Sequence, residues 1–552
     1  MRVATFVAST LLVACFAISS AEKIELYTRG DDLGRHLKTG ELLLSSTVPA
    51  GTVSKLLYTN FYSYATPDFE VVNHHWLSGV VYFLVWKHVG FAGLNAFYVA
   101  LGCLTFLLSF RMAQKAAGWA VASALALPML PILRLRPSVR PEIFTLLFCG
   151  VFLWFLWNHY NGSLSWRSLL ALPAVEVLWV NLHIGFIFGP VFIGAFMLAE
   201  LLKRPPKEEA PRGGNPWETE FYKEKILLFG RWSGILALTL LATLMNPSGI
   251  YGAAIPFTIW SNYGMDVTEN HSLPYLESHG FGGEYLVVKL TLIVLYLSFF
   301  AVYRRGARFP MGLFILAVLL GGMAWFALRN QTILAMFALA AIGINVGLSG
   351  ATEPRALEAM NESSDRRNRL SHLLHAGFSH SLRNLCLALI ILAGAYSSGR
   401  KLLERKDTIG LGMYPDMNAA ADFLRASNLQ GPLLNNFNIG GYLIHYLYPQ
   451  FRVFVDSRPE AYPAGFLNEK YSLPLNDEAE WARLLDQYQF NVLFFSHAAT
   501  WEEAFCARRA QDPNWVTVFR KFSIIMMVRR NAANRSFIQQ YEIPVEKLFV
   551  TK

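Results

Sequence analysis

Two adjacent carboxylates and several histidines lie near the start of the chain, in a stretch that is otherwise rich in small and apolar residues. Asp31 and Asp32 open this stretch, His36 follows, and His74 and His75 close it. Carboxylates and imidazoles can accept or donate protons during group transfer. Two adjacent acids form a weak motif by themselves, and an ordinary solvated loop explains them equally well.

Further polar clusters recur between the long apolar runs that follow. They contain Arg140, Asn181, His183, Glu269, His271 and Arg329. A guanidinium group offers a planar, charged fork that suits a phosphate, so the two arginines are candidate phosphate contacts. The other four side chains, together with His36, His74 and His75, are candidate contacts to the rest of a substrate. Each cluster also has a structural explanation, such as a helix end or a snorkelling arginine.

The composition indicates an integral membrane protein. Of 552 residues, 54% are hydrophobic and only 16% are charged, whereas soluble globular domains contain about 25% charged residues. The net charge of +9 lies largely in segments expected on the cytoplasmic side of a membrane, so it does not indicate nucleic-acid binding. The five cysteines are far apart in the sequence, which argues against a disulfide framework and against a cysteine metal site.

About eleven apolar runs are long enough to cross a bilayer, which needs about 17–25 residues. They lie near 3–20, 92–112, 117–134, 141–158, 167–183, 185–202, 226–245, 284–303, 309–328, 331–348 and 384–398. A shorter aromatic run at 76–88 is expected to be interfacial. With the N-terminus in the cytoplasm, the basic stretches at 203–225 and 304–308 fall on the cytoplasmic side, as the positive-inside rule expects.

The first apolar run has two interpretations. Its apolar core and the small residues Ser19 and Ala21 are typical of a cleavable signal peptide. Because apolar residues continue past Cys15, a retained first helix is favoured.

The composition changes near position 399. Helical and strand-like segments alternate after it, at 418–427, 451–456, 481–488, 491–495 and 522–528. This alternation predicts a small α/β domain. The odd number of crossings places this domain outside the cytoplasm, on the same side as the first outer loop, 21–76. The sequence therefore predicts a membrane domain at 1–399 and an extracytoplasmic α/β domain at 400–552.

The polar clusters form an ordered series that is more specific than any one of its members. The series runs Asp32-Leu33-x2-His36-Leu37-x2-Gly40, Asn73-His74-x-Trp76-Leu77-Ser78, Arg140-Pro141, Trp179-x-Asn181-x-His183, Asn246-Pro247, Arg329-Asn330, Asn438-Ile439-Gly440-Gly441-Tyr442-Leu443 and Val455-Asp456-Ser457-Arg458. It covers most of the chain. It resembles the bacterial GT-C-type integral membrane glycosyltransferases, which include protein mannosyltransferase and aminoarabinose transferase relatives.

The resemblance implies a GT-C-like protein of the bacterial inner membrane with its active site outside the cytoplasm. It implies a polyprenyl-phosphate sugar donor, from which a hexosyl or pentosyl group passes to a lipid, glycan or protein. Asp32 corresponds to the catalytic Asp of the first outer loop, with Asp31 as a second candidate, and Arg140 and Arg329 to contacts with the donor phosphate. The carboxylate acts in acid/base chemistry or helps to hold a divalent cation, so a metal cofactor is left open. Membrane lipids are the other expected partners, and the oligomeric state is not determined.

Two departures from the family pattern motivate a second hypothesis. His75 stands where relatives have an acid, and Gly34-Arg35 replaces an aromatic pair. Asp68 and Glu70 are candidates to supply the missing acid. The alternative is a catalytically inactive GT-C-like protein that serves as a lipid-glycan carrier, transport component or assembly factor. For Asp456-Ser457-Arg458, local turn chemistry is favoured over acceptor recognition.

Overall fold

The structure is a computed structural model that describes residues 2–26, 32–203, 220–259, 264–265, 268–350, 385, 388–497 and 500–548. Asp31, the second catalytic candidate, lies outside the described residues. So do most of the segments 203–225 and 350–383.

The first two thirds of the described chain are helical. The helices are α1 (Arg2–Ser20), α2 (Leu33–Leu44), α3 (Thr52–Tyr58), α4 (Trp76–Ala117), α5 (Trp119–Leu133), α6 (Glu142–Tyr160), α7 (Trp166–Leu169), α8 (Ala171–Leu182), α9 (Phe188–Leu201), α10 (Glu220–Ala242), α11 (Gly249–Thr258), α12 (Leu273–Ser278), α13 (Tyr285–Arg304), α14 (Met311–Phe326), α15 (Gln331–Gly350) and α16, described over 388–404. Short 3-10 turns at Ile184–Ile187, Thr268–Asn270 and Leu328–Asn330 precede or follow some of them.

Six helical segments among the described residues are long and apolar enough to cross a membrane. They are Trp76–Ala117, Glu142–Tyr160, Ile184–Leu201, Phe221–Ala242, Tyr285–Arg304 and Leu328–Gly350. Helices α1, α5 and α14 contain shorter apolar stretches. The expected run at 167–183 is divided between the short helices α7 and α8. The protein is therefore a mostly helical integral membrane protein, while the full count of eleven crossings stays a prediction.

Helix α4 contains a break that separates two of the expected apolar runs. Gly90 has φ 66° and ψ −170°, which is not helical. Glycine adopts a positive φ without the steric penalty that a Cβ atom brings. The aromatic run at 76–88 is thus a distinct segment, as expected, although it joins the run at 92–112 without a loop.

The C-terminal part contains a small mixed sheet surrounded by short helices. Its elements are α17 (Ala419–Ala426), β1 (Leu433–Asn435), α18 (Gly440–Leu447), α19 (Leu473–Asn476), α20 (Glu478–Tyr488), β2 (Val492–Ser496), α21 (Thr500–Gln511), β3 (Trp515–Lys521), β4 (Ile524–Arg529), α22 (Arg535–Tyr541) and α23 (Val545–Leu548). The strand order is β1-β2-β4-β3. Strand β1 is parallel to β2, whereas β2, β4 and β3 pair in antiparallel fashion.

Local sequence explains several of these elements. Every residue of β2 is buried, which fits a strand covered on both faces and read as a continuous apolar run. The Asp477 side chain accepts hydrogen bonds from the backbone N–H groups of Ala479 and Glu480, both at 2.9 Å, and so caps α20. The strands expected at 491–495 and 522–528 and the helices expected at 418–427 and 481–488 are confirmed to within a few residues.

The strand expected at 451–456 is wrong. This segment pairs with the first outer loop through one parallel bridge between Ser63 and Val453. The Ser63 hydroxyl donates to the Phe454 carbonyl at 2.7 Å, and the Tyr64 N–H donates to the Val453 carbonyl at 3.1 Å. The extended segment therefore ties the C-terminal part to the outer loop instead of extending the sheet.

Helix α2 packs directly against α18 of the C-terminal part. A Cβ atom on Gly34 would lie 2.2 Å from the Gly441 carbonyl oxygen, so only glycine permits this approach. Leu37 of α2 and Tyr442 of α18 belong to one continuous buried core. The contact brings the start of α2 close to the C-terminal turns. The domain boundary expected near 399–400 stays a prediction.

Candidate active site

A cavity of ≈ 850 Å³ opens between the helix ends and the C-terminal turns. Its polar lining consists of Asp32, Arg35, His74, His75, Arg136, Arg140, Glu142, His183, Glu269, Asn270, Arg329, Asn330, Asn438, Ser457, Arg458 and Glu460. Its volume falls within the range of about 300–1,000 Å³ that is usual for ligand sites. The charged groups form two sets, each defined by its own mutual contacts, which we call the carboxylate end and the arginine end.

The carboxylate end consists of Asp32, Arg35, Ser457, Arg458 and Glu460. Asp32 is the N-cap residue of α2, and its Oδ1 atom accepts a hydrogen bond of 2.5 Å from the Ser457 hydroxyl. The same oxygen lies 3.3 Å from Nη2 of Arg35. Asp32 and Ser457 are 425 residues apart in the sequence. The packing of α2 against the C-terminal part therefore positions the catalytic candidate.

A buried ion pair holds the turn that presents Ser457. Nε and Nη2 of Arg458 donate to the two carboxylate oxygens of Asp456 at 2.8 and 2.6 Å. Nη2 also donates to Oδ1 of Asn60 in the outer loop at 2.8 Å. Burial opposes the charge on Arg458, but Asp456 outweighs this effect and raises the pKa of the guanidinium. The expected turn chemistry is confirmed, and the same turn also contacts Asp32.

The arginine end consists of Arg136, Arg140, Glu142, Glu269 and Arg329. Arg136 forms ion pairs with Glu142 at 3.1 Å and with Glu269 at 2.5 Å. Arg140 lies 3.6 Å from the second Glu269 oxygen. Three guanidinium groups stand against two carboxylates, which leaves one positive charge in excess. This end can therefore attract an anion.

The charges at the arginine end stabilise one another. Burial acts to raise the pKa of Glu269, but Arg136 and Arg140 outweigh it and lower that pKa to about 2. Burial acts against the charge on Arg136, but Glu142 and Glu269 raise the pKa of this guanidinium above its usual value. Arg329 donates from Nη1 to Oδ1 of Asn270 at 2.9 Å. Arg136, Arg140 and Glu269 are consequently charged at neutral pH.

Three of the expected histidines line the cavity as a stack of rings. The ring centroids of His74 and His75 are 3.9 Å apart, and those of His75 and His183 are 5.1 Å apart. The Gly185 N–H donates to Nδ1 of His183 at 3.1 Å, and the Thr145 hydroxyl lies 2.7 Å from the same atom. The neutral His183 ring therefore carries its proton on Nε2. Burial lowers the pKa of His74 to about 4, so this ring is also neutral at pH 7.

Three other predicted site residues are not among those that line the cavity. His36 is buried behind it, with its ring edge-on to that of His75 at 5.5 Å. Asn181 accepts a hydrogen bond of 3.0 Å from the Trp76 indole and donates to two backbone carbonyls. His271 stacks on Tyr275 at 4.2 Å. These three side chains take part in packing and in hydrogen bonds that join elements, and their contacts with a substrate stay predictions.

Several lining residues were not predicted as site residues. Arg35 counted as a departure from the family pattern, and Ser457 lies in a turn for which local chemistry was favoured. Glu460 carried no prediction. Nε of Arg35 and Nε2 of His75 are buried and have no hydrogen-bond partner among the described residues. Buried polar atoms normally find partners, so these two atoms are exceptions within the wall of the cavity. Arg136 and Glu142 belong to the cluster around Arg140, which is the signal that could have found them.

The described side chains do not suit a metal ion at this site. In the part of the chain that the structure describes, no group of three or more His, Cys, Asp or Glu residues is arranged to hold one. At the carboxylate end, an oxygen of Asp32 is already engaged by Ser457 and Arg35. We therefore derive no step that depends on a divalent cation.

Comparison with known proteins gives structural but not sequence matches. No protein-family model matches the chain, and no curated protein matches it. The archaeal oligosaccharyltransferase AglB from Archaeoglobus fulgidus superposes with a TM-score of 0.51 at 12% identity, over 94% of this chain and 74% of AglB. The mycobacterial arabinofuranosyltransferase AftD gives a TM-score of 0.51 at 14% identity, over 96% of this chain and 40% of AftD.

ArnT from Cupriavidus metallidurans gives a TM-score of 0.49 at 14% identity, over 95% of this chain and 97% of ArnT. Identities this low show the fold alone. AglB and AftD are GT-C glycosyltransferases, and each match covers nearly the whole of this chain. The chain has the fold of the GT-C-type membrane glycosyltransferases.

Proposed function

We propose that this protein is a membrane glycosyltransferase that moves a sugar from a polyprenyl-phosphate donor to an acceptor outside the cytoplasm. The observation that carries the proposal is one cavity whose lining includes both the arginine end and a fixed carboxylate, Asp32. Such a cavity can hold a phosphate leaving group while a negative charge faces the reacting sugar. The similar AglB structure contains a dolichol-phosphate and an inhibitory peptide, which agrees with this class of donor.

The arginine end suits the phosphate of the donor. Arg140 and Arg329 are the proposed contacts, because guanidinium groups bind phosphate oxygens through charge-assisted hydrogen bonds. The single excess positive charge of this end matches the one negative charge of a phosphodiester better than the two charges of a diphosphate. Phe188 and Ile333 also line the cavity and offer apolar surface to the first isoprene units. A lipid monophosphate sugar is thus the proposed donor.

Asp32 is the proposed catalytic carboxylate. Its contacts with Ser457 and Arg35 fix its orientation before a substrate binds. Its charge stabilises the oxocarbenium-like carbon as the bond from C1 to the phosphate oxygen breaks. The electron pair leaves with the polyprenyl phosphate, and the arginine end holds the new charge. The neutral His74 and His183, which line the cavity, can hydrogen-bond to sugar hydroxyls.

The positions of basic residues support a site outside the cytoplasm. Helix α14 has 16 residues and is therefore about 24 Å long. The basic stretch 304–308 precedes its first residue, and Arg329 follows its last one. Because basic loops favour the cytoplasm, the cavity beside Arg329 lies on the opposite side. We place the protein in a bacterial inner membrane with its C-terminal part outside.

The experiment that tests this function is the binding and turnover of a polyprenyl-phosphate sugar by the purified protein. Arg329→Ala should weaken donor binding about 10- to 100-fold, since a hydrogen bond to a charged group contributes about 1.5–3 kcal/mol. Arg400→Ala is the matched control, because Arg400 is 70% exposed and its ion pair among the described residues is with Glu404 on its own helix. Absence of donor binding in every variant, the wild type included, would contradict the proposal. Donor binding without any transfer would favour the carrier alternative.

A further inference from the structure

A second cavity lies beside the active site and meets it at one carboxylate. This groove, of ≈ 620 Å³, runs between the outer loop and α11 and includes Tyr58, Glu70 and Tyr251 in its lining. Ile259 and Glu460 line both the groove and the larger cavity. A molecule in the groove can therefore reach the larger cavity past Glu460.

We propose that this groove binds an uncharged, hydroxyl-bearing saccharide as the acceptor, and that Glu460 at its inner end is a catalytic residue that takes the acceptor's proton. The inference rests on the proposed transferase function and adds the acceptor class and the base. Nothing in the sequence pattern had assigned a role to Glu460 or to the groove.

The surroundings of Glu460 leave its carboxylate available. Glu460 lies in the short 3-10 turn Pro459–Ala461, and the neighbouring Arg458 is committed to Asp456. Among the described residues, no lysine or arginine forms an ion pair with Glu460. Asp32, in contrast, is bound by a hydroxyl and a guanidinium. The two acids are therefore suited to different tasks: a fixed charge for Asp32 and proton transfer for Glu460.

The basicity of Glu460 supports this division. Burial raises its pKa and Asp32 adds to the increase, although a hydrogen bond from its own backbone N–H and the charges of Arg458 and Arg35 act to lower it. Glu70 is the other acidic side chain that lines the groove. A carboxylate with a raised pKa is a better proton acceptor than an exposed one.

The groove lining indicates the class of acceptor. Two glutamates and two tyrosines line it, together with the hydroxyl groups of Thr59, Ser248 and Thr258. Among the described residues, no lysine, arginine or histidine lines the groove, so an anionic acceptor would be repelled. Aromatic rings present apolar faces and a polar edge, which suits a sugar with its apolar C–H faces and its hydroxyls.

One hydrogen bond holds the two walls of the groove together. The Tyr58 hydroxyl donates to the Pro247 carbonyl at 2.8 Å, which links the outer loop to the segment before α11. Tyr251 is 76% exposed, so its ring is free to pack against a ligand on the open side. The groove thus has two walls held in a fixed arrangement, and the exposed Tyr251 side chain can adjust its position to a ligand.

The proposed step balances in atoms and charge. The acceptor oxygen forms a bond to C1 of the donor sugar, and its proton passes to the Glu460 carboxylate. The bond between C1 and the phosphate oxygen breaks, and its electron pair leaves with the polyprenyl phosphate. Glu460 then releases the proton to water through the open groove.

The test uses full-length protein in lipid vesicles, a polyprenyl-phosphate sugar and two octyl glycosides as acceptors, one with a neutral hexose and one with a uronic acid. Glu460→Gln should lower kcat at least about 10²-fold, leave donor binding unchanged and remove the acidic limb of the pH–rate profile. Glu469→Gln is the control, because Glu469 is exposed nine positions along the chain. The neutral glycoside should be used in preference to the uronic acid.

The outcomes separate this inference from the proposed function. Suppose that the wild type binds and turns over the donor, and that Glu460→Gln has the same transfer rate and pH profile as the wild type. Glu460 is then not the base, and this inference fails while the proposed function stands. Equal use of the uronic acid would overturn the acceptor class. A Glu460→Gln protein that no longer binds the donor would place Glu460 in the donor site and overturn the proton role. Absence of donor binding in the wild type would instead overturn the proposed function.

Discussion

The two ends of the cavity are built in different ways. The arginine end combines one short connection, which contains Arg136 and Arg140, with two turns that contain Glu269 and Arg329. Its ion pairs are partly exposed, with 22% of the Arg136 side chain and 35% of the Glu269 side chain accessible. The carboxylate end joins α2 to a turn 425 residues away, and it depends on the buried pair of Asp456 and Arg458.

This difference indicates that the two ends of the cavity have different roles. Partly exposed ion pairs contribute little net stability, so the arginines can exchange a carboxylate for a phosphate at small cost. A buried pair behaves differently, because removal of one partner leaves the other charge buried and unpaired. The arginine end is therefore suited to ligand exchange, and the carboxylate end to a fixed geometry.

The largest effect is expected at the fixed carboxylate. Asp32→Asn should lower the transfer rate about 10³-fold, because it removes a charge placed beside the reacting carbon. Donor binding should change by less than about threefold, since Arg140 and Arg329, and not Asp32, are the proposed phosphate contacts. Rates and binding measured in the same vesicles check both values.

Asp422→Asn is a suitable control for this change, because Asp422 is 45% exposed on α17 and pairs with Arg425. Full transfer activity in Asp32→Asn would remove Asp32 from the catalytic role and with it the functional distinction between the two ends.

The buried pair provides the second test. Asp456→Ala should lower the free energy of unfolding by about 3–5 kcal/mol, because the guanidinium of Arg458 would stay buried without its partner. Asp422→Ala removes an exposed partner instead and should cost no more than about 1 kcal/mol. Thermal unfolding of both variants in detergent measures the difference. Equal losses would mean that the turn beside Asp32 is not rigidly held.

A smaller effect is expected at the arginine end, where a substitution should strengthen lipid-phosphate binding instead of lowering activity or stability. Glu269→Gln should strengthen binding of a polyprenyl phosphate about tenfold, because Arg136 and Arg140 would no longer be neutralised by this carboxylate. Calorimetric titration with the lipid phosphate, beside the exposed control Glu404→Gln, measures the change. Weaker binding in Glu269→Gln would instead show that Glu269 contacts the substrate, as the sequence pattern suggests.

The smallest effect concerns the histidines between the two ends. His74 has a pKa of about 4 in the folded protein and about 6.5 when unfolded, so the unfolded chain takes up the proton first as the pH falls. The stability that this neutral ring contributes is complete above about pH 6.5 and is lost towards pH 4. Between pH 7 and 5, the wild type should lose about 1–2 kcal/mol more than His74→Gln. Identical pH profiles in thermal unfolding would contradict the lowered pKa.

The arginine end could be largely anticipated from the sequence. Arg140 and Arg329 each lie next to an apolar run, Glu269 lies in the loop between the runs at 226–245 and 284–303, and counting the runs places all three on one side of the membrane. Helix length and basic loops are local properties, so this inference needed no knowledge of distant contacts. Arg136 and Glu142 were visible in the same cluster, but their pairing with Glu269 depends on how the helices pack.

The carboxylate end could not be anticipated in the same way. Asp31 and Asp32 were visible as a weak acidic motif, but the catalytic role of Asp32 came from the resemblance, and nothing local indicates that Ser457 lies against Asp32. The segment 451–456 has the apolar pattern of a strand, but this pattern also suits an extended segment bonded to a loop. The motif spacing suggested that His36 contacts substrate, whereas the helix turns its side chain into the core. Pairing of distant segments is set by tertiary packing, which periodicity does not encode.

The most direct measurement is a structure of the protein with a bound polyprenyl-phosphate sugar, determined in a lipid environment. The proposed function predicts that the phosphate lies within hydrogen-bond distance of Arg140 and Arg329 and that C1 of the sugar faces Asp32. A donor phosphate bound away from these arginines, or a sugar turned away from Asp32, would contradict it.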